Sequence, residues 1–403
     1  MSVHLRDILL WDGERPDPAP ADIAIRDGKI EAVLAPGSTE AEDALLVDLQ
    51  GAFVMPGLVD MHVHLVWSGG PDPAAVVAAA GEQATTIRAV VNARAQVEAG
   101  ITTVRDLGGN ADIAVSLARA IDRGDLEGPT VIASGRTVIM TGGHDPFWGV
   151  FSDGPHEVVR AVRQQAMIGA GVIKLAATGG VYGRAEGEDI GQSELTREEM
   201  TAAVGEAHRR GLRVAAHAVG RDGIRDAVLA GVDTIEHGNF LDEEIVAAMR
   251  KQGTALCPTL AIYRTIAENV GGDIPEYASA KARTAVAAHR QSFQMALEAG
   301  LDIVAGTDAG SCGTRHPALL DEMRLMNNYG MSTEAVLRAA TTTAGRVAGR
   351  PGTVGTVRPG SSADLLVLDG VPLDDLNWIR SPRAVIRAGA PVRRGSVAWP
   401  QLG

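Results

Sequence analysis

Two histidines, His62 and His64, stand one residue apart in the run MHVHL. On an extended strand, residues i and i+2 face the same side, so both imidazoles can reach one metal ion. Taken alone, the pair reads equally well as two surface or core histidines. His217 closes the apolar run RVAAH, and His237 closes DTIEH one unit later. Singly, each is more often a satisfied core histidine. Four of the ten histidines at equivalent strand ends is a sharper coincidence. Asp308, in VAGTDAG, follows another apolar run. It reads either as a metal ligand whose second oxygen holds an attacking water or as the N-cap of the next helix. Lys174 sits inside the apolar run GVIKLAATGG, where an ammonium is costly unless paired or deprotonated; the alternative is a lysine snorkelling at a strand end.

The elements that must position these residues alternate. Residues 198–210 and 223–229 read as helices and 213–218 and 234–236 as strands. Further strand candidates are 59–65, 102–107, 130–134, 172–176, 254–257 and 302–305. Alternation of this kind means parallel strands joined by crossover helices. Eight strands over about 290 residues suit a (β/α)8 TIM barrel, with the candidate ligands at the C-terminal strand ends where such barrels do chemistry; periodicity alone leaves an open doubly wound sheet as an alternative. Both chain ends instead carry short strand-like pieces broken by Gly, Pro and Asp, including 8–10, 23–25, 30–33, 365–368 and 384–386. The expected division is a barrel over 56–349 and a small discontinuous β-sandwich domain from 1–55 and 350–403.

With 403 residues, 45% hydrophobic and 22% charged, the chain can bury a large core and lies in the globular range. Aromatics are only 3%, so Ala, Val, Leu and Gly must fill the interior. A formal charge of -13 argues against a nucleic-acid partner, which needs clustered Lys and Arg. Cys257 and Cys312 form no CxxC pair, so any metal is held by His, Asp or Lys-derived ligands. No apolar run approaches the roughly 18 residues of a membrane span, and the first residues do not read as a signal peptide. The expectation is a cytoplasmic protein with a small-molecule substrate and no membrane partner, assembled as a homo-oligomer.

The segments VMPGLVDMHVHL, VIKLAATGGV, AAHA, TIEHG, AGTDAG and SSADLLVLDGVPLDDL, in that order, resemble the amidohydrolase superfamily, and within it the imidazolonepropionase-like and prolidase-like branch. The resemblance covers nearly the whole chain. It implies a binuclear site in which His62, His64 and Asp308 hold the more buried metal and His217 and His237 the more exposed one. Lys174, as its carbamate, bridges the two. Two zinc ions suit this mixed nitrogen and oxygen set, with manganese, cobalt and nickel as alternatives. The implied reaction is hydrolysis of an amide-type C–N bond in a peptide, N-acyl amino acid, carbamate or cyclic amide. A metal-bridging hydroxide attacks, one metal polarises the carbonyl, and Asp308 acts first as base and then as acid.

For substrate contacts the sequence offers His144, in MTGGHDPFW, which resembles a family position near the substrate and is a candidate for catalysis as well as binding. Tyr182 and Arg184 in the loop after Lys174 are further candidates, since Arg presents a bidentate fork to a carboxylate; the alternative is that both are solvated loop residues. Two departures from the family stand out. Val219 occupies the position, two after His217, where many dipeptidase members carry Tyr, and Asp145, Pro146, Phe147 and Trp148 replace a run of small residues. Dipeptidase specificity is thereby in doubt, and the second cluster suggests an apolar leaving-group pocket. Two further readings stand beside the binuclear one: a mononuclear ring deaminase or imidazolonepropionase-type hydrolase, which Lys174 argues against, and a non-catalytic scaffold, which retention of all six candidate ligands argues against.

Overall fold

Runs such as VIKLA and RVAAHA are built of β-branched and small apolar residues, and they form buried parallel strands because both faces of each can be covered. The computed structural model describes residues 2–38, 44–110, 112–185, 187–393, 395 and 397. Of the segments expected in the small domain, residues 1, 39–43, 394, 396 and 398–403 lie outside those described.

Strands Leu58–Val63, Ile101–Asp106 and Thr130–Ala133 form one parallel sheet, and Val172–Ala176, Arg213–Ala218, Thr234–His237 and Ala255–Cys257 run parallel in a second. Backbone bonds close the two sheets into the (β/α)8 barrel. Gly171 N donates to Ala133 O at 2.8 Å on one side. On the other, residues 302–305 lie between the last strand and the first: Val304 N donates to Leu256 O at 2.9 Å and Met61 N to Ala305 O at 3.0 Å. That segment, expected as the eighth strand, forms only an isolated bridge, Leu256 to Ile303. The reason is local. Ala305 N donates at 2.9 Å to Ala339 O, outside the barrel wall, so no continuous ladder develops. Short strands Val138–Ile139 and Val150–Phe151 extend the second sheet beyond Val172–Ala176.

The crossover helices are punctuated by their own sequence. Helix Arg197–Arg209 starts in a reciprocal capping box of Thr196 and Glu199. Helix Arg221–Ala230 stops at Gly231, whose φ of 90° is open to a residue without Cβ. Small side chains fill the barrel: Val59, Met61, Ile132, Val172, Ala215, Ala255, Cys257 and Val304 form one buried cluster with Ala344 and Val347 of helix Thr342–Val347. Opposite Lys174 in the ladder stands Ala215, which leaves room for the long lysine stem.

Both termini build a seven-stranded sheet in the spatial order Ala390–Arg393, Ala384–Arg387, Leu365–Leu368, Leu45–Pro56, Ser2–Leu10, Ala19–Arg26, Lys29–Leu34. Its pairs are antiparallel except Ser2–Leu10 with Leu45–Pro56, which is parallel. The sheet folds over its own apolar core, as Ile30 N donates to Ser361 O at 2.9 Å and Gly360 N returns to Ile30 O at 2.8 Å. Leu45–Pro56 passes through Gly57 directly into the first barrel strand, and Gly57 N donates to Asp364 O at 2.8 Å, so the small domain fixes where His62 and His64 begin. No helix of the described residues is long and apolar enough to cross a membrane.

Candidate metal centre

His62, His64, Lys174, His217, His237 and Asp308, drawn from five barrel segments, line one cavity at the C-terminal ends of the strands. Ligand atoms of His62, His237 and Asp308 lie within 4.8 Å of one another. In a regular strand Glu236 and His237 would face opposite ways, and the ladder pairs Glu236 with His217. His237 adopts φ 74°, which breaks the alternation and lets its ring join that of His217 at a centroid distance of 4.7 Å. Asp308 has φ 57°. Positive φ at residues with a Cβ costs roughly 1–3 kcal/mol and is kept where the surroundings over-determine it, often at functional sites.

Each imidazole has one ring nitrogen engaged away from the others. His62 Nδ1 donates to Glu236 Oε2 at 2.9 Å, His64 Nδ1 to Gly108 O at 2.9 Å, and His217 Nε2 to Gly179 O at 3.2 Å. His237 Nδ1 shares a hydrogen bond of 2.7 Å with Thr259 Oγ1. In the neutral ring the opposite nitrogens, Nε2 of His62 and His64 and Nδ1 of His217, keep their lone pairs, and Nε2 of His237 does so when its Nδ1 donates to Thr259. Burial holds His62, His217 and His237 well below the ordinary imidazole range, with Lys174 adding to the effect at all three, so they are neutral, the form that binds metal. His64 moves the other way: burial opposes protonation, but Asp308 and then Asp145 and Asp106 outweigh it.

The donor set fits divalent cations. Asp308 Oδ1 lies 3.2 Å from His64 Nε2 and 3.7 Å from His62 Nε2, yet it is buried and accepts no well-formed hydrogen bond. Lys174 is 2% exposed and forms no ion pair with any described residue, and burial pulls its ammonium down. An orphaned carboxylate oxygen and four imidazoles around one cavity are what divalent cations would satisfy, and Lys174 would join them only once its nitrogen is deprotonated or carboxylated.

Beneath the ligands lies a charged layer that the sequence reading passed over. Arg105 and Glu236, 1% and 0% exposed as side chains, pair at 2.8 Å; Arg105 also donates to Met61 O at 2.7 Å and Thr234 Oγ1 at 3.0 Å. Glu236 thus orients His62 while Arg105 neutralises Glu236. The signal was available: TTVRD and DTIEH each set a charged residue directly after a β-branched apolar one inside a strand-like run. Asp60 accepts from Thr307 Oγ1 at 2.7 Å and Thr307 N at 3.1 Å, tying the turn that carries Asp308 to the first strand, and burial pushes its carboxyl up to about 7.

The loop candidates divide. His144 enters the cavity, stacked on His217 at 4.0 Å between centroids, with Nδ1 donating to Glu188 Oε1 at 2.6 Å. Burial opposes its charge, but Asp145 and then Glu188 and Glu194 hold it protonated to about 9. Tyr182 presents its ring to the cavity, yet its hydroxyl donates to Asp72 Oδ1 at 2.5 Å and accepts from Ala74 N at 3.1 Å, which makes it the anchor of helix Pro73–Glu98. Arg184 does not line the cavity; it folds back with Nη2 donating to Gly187 O at 3.2 Å. Phe147 packs behind the wall on Tyr182 and Trp67, and Trp148 on His64. Asp145, named from the sequence, also lines the cavity; Trp67, Val181, Ile262, Tyr263, Ile266 and Ser311 complete the lining, and the sequence reading named none of these six.

Comparison with known proteins agrees with this geometry. The model of the family described as "Amidohydrolase family" matches residues 53–392. Ochratoxinase of Aspergillus niger is 30% identical over 365 residues, 82% of this chain and 73% of that protein. An uncharacterized protein of Mycobacterium tuberculosis is 30% identical over 393 residues, 96% of this chain and 95% of its own. Among solved structures, a Xaa-Pro dipeptidase with methionine bound in its active site superposes with a TM-score of 0.90 at 31% identity, covering 98% of this chain and 100% of that one. With a family model spanning most of its length and its ligand-type side chains gathered at the barrel mouth, the chain belongs to the amidohydrolase family.

Proposed function

We propose that the chain is a binuclear metal-dependent hydrolase that cleaves an amide-type C–N bond in a small molecule. One observation carries the proposal: four imidazoles, each with its second nitrogen engaged, share a cavity with an unpaired buried lysine and an orphaned carboxylate oxygen. His62, His64 and Asp308 would hold one ion, His217 and His237 the other, and Lys174, carboxylated on Nζ, both; zinc suits the set. Bound there, the ions would acidify a water and polarise the substrate carbonyl.

The chain's own residues do the rest. Asp308 accepts the attacking water's proton and returns it to the leaving nitrogen. His144 is a charged donor at the cavity wall, fixed by Glu188. Trp67, Val181, Ile262 and Ile266 give the substrate an apolar enclosure. Apart from Lys174, no lysine or arginine lines the cavity among the described residues, and Val219 offers no hydroxyl. These features leave His144 as the cationic donor a substrate carboxylate could meet, and favour amides flanked by apolar groups over dipeptides whose carboxylate is held by Lys, Arg or a hydroxyl at position 219. The relatives named ochratoxinase and Xaa-Pro dipeptidase support C–N hydrolysis as the reaction class.

The test is a screen of metal-reconstituted protein against N-acyl amino acids, dipeptides, carbamates and lactams, each offered as the free acid and as the neutral amide. Turnover that favours the neutral apolar members is expected. No turnover by protein carrying two metal equivalents would refute the hydrolase reading.

A further inference from the structure

We propose that Tyr263 is a catalytic residue whose hydroxyl donates a hydrogen bond to the scissile carbonyl oxygen as that oxygen gains negative charge. The inference rests on the hydrolase reading above and adds to it a residue outside the ligand set.

Two tyrosines line the cavity, and their hydroxyls have opposite fates. That of Tyr182 is consumed by Asp72 and Ala74. Tyr263 is 4% exposed, yet its hydroxyl makes no hydrogen bond to any described residue, and it is not among the buried polar atoms sealed off without a partner. Buried phenols usually find a partner. Here the cavity is where a partner can be met.

The ring is held firmly. It packs on His289 at 4.8 Å between centroids, edge to face, and on His237 at 5.5 Å. His289 Nε2 in turn donates to His237 O at 3.0 Å. Tyr263 sits in the first turn of helix Leu260–Glu268, whose leading N–H groups on Leu260 and Ala261 donate to buried Glu322 at 2.8 and 2.7 Å. Thr259, which opens that helix, also fixes His237. One short segment therefore sets both the imidazole and the phenol. A donor fixed in advance costs no reorganisation when charge develops, which is a condition for strong transition-state stabilisation. Its ring lies beside that of His237, one of the candidate ligands. The phenol keeps its proton throughout.

The test compares wild type with Tyr263→Phe, both as metal-loaded protein of measured metal content; the substitution keeps the ring and its packing on His237 and His289. Two probes avoid dependence on the natural substrate. Phenyl acetate has a carbonyl but a leaving group that needs no proton, and phenylphosphonate presents tetrahedral anionic oxygens. We expect equal metal content, kcat for phenyl acetate and for any amide found by the screen lowered about a hundredfold with KM little changed, and phenylphosphonate bound about tenfold more weakly by calorimetry. Rates and Kd within twofold of wild type would overturn the proposal. So would a change confined to KM, or a loss seen only on amides with basic leaving groups, which would place the hydroxyl on the leaving nitrogen. Wild-type protein that neither turns over nor binds these probes would instead remove the hydrolase reading on which the proposal stands.

Discussion

The floor of the cavity and its rim are held by different means. On the floor, the candidate ligands project from strands whose register is fixed by parallel ladders, and each imidazole is locked by a carboxylate, carbonyl or hydroxyl behind it. The rim is made of loop and helix-end residues held by ring packing, Trp67 on Tyr182, His144 on His217 and Tyr263 on His237. A strand tolerates little error, because a slip of one residue turns every side chain to the other face. Loops that carry no partner of these imidazoles can vary without moving them. The floor should therefore fix the chemistry and the rim the substrate, and substitutions in the two regions should fail differently.

The largest effect is expected beneath the floor. Arg105→Met would leave Glu236 buried without its counter-charge, and breaking such a pair costs about 3–5 kcal/mol. Denaturant titration should show that loss together with lower metal content. Stability within 1 kcal/mol of wild type would mean that the layer is not a structural support.

Asp308→Asn separates ligation from proton transfer, since the amide keeps a carbonyl oxygen but cannot shuttle a proton at neutral pH. Turnover at matched metal occupancy should fall at least about a hundredfold. Near-equal rates would leave Asp308 as a ligand alone and move the proton-transfer role to another group, His144 first.

On the rim, Tyr182→Phe removes the hydroxyl that ties helix Pro73–Glu98. It should cost about 1 kcal/mol of stability and leave kcat within twofold. A tenfold loss of kcat would show that the hydroxyl reaches substrate after all. Arg184→Ala is the smallest expected change, within about 0.5 kcal/mol of wild type and with unaltered turnover. A raised KM for carboxylate substrates would return Arg184 to the site.

The same contrast explains what could be read from the sequence. That His62, His64, Lys174, His217, His237 and Asp308 would meet in one cavity was legible because each is a polar residue at or inside an apolar strand, and the fold brings strand ends to one place. The small domain was legible as strand-like text at both termini. Arg105 and Glu236 carried the same kind of signal but lie one layer deeper, where a charge is matched by another from a distant strand. Residues 302–305 look extended, yet their bonding depends on Ala339, far along the chain. Tyr182 and Arg184 were chosen for nearness to Lys174 in sequence, whereas the turn around Glu188, which binds Gly180 N at 2.8 Å and Arg184 N at 2.5 Å, decides where they point. Tyr263 comes from a helix and from no strand end, so only the packing reveals it.

The claim on which the rest depends is that Lys174 bridges two ions. Metal stoichiometry tests it most directly, measured by elemental analysis on wild type and Lys174→Ala prepared with metal and bicarbonate. The account predicts two equivalents in wild type. It predicts loss of that pair in Lys174→Ala, with metal and activity partly restored by a short carboxylic acid that supplies the missing oxygens. A reproducible single equivalent in wild type, or a Lys174→Ala protein that keeps two metals and full activity without the acid, would contradict it.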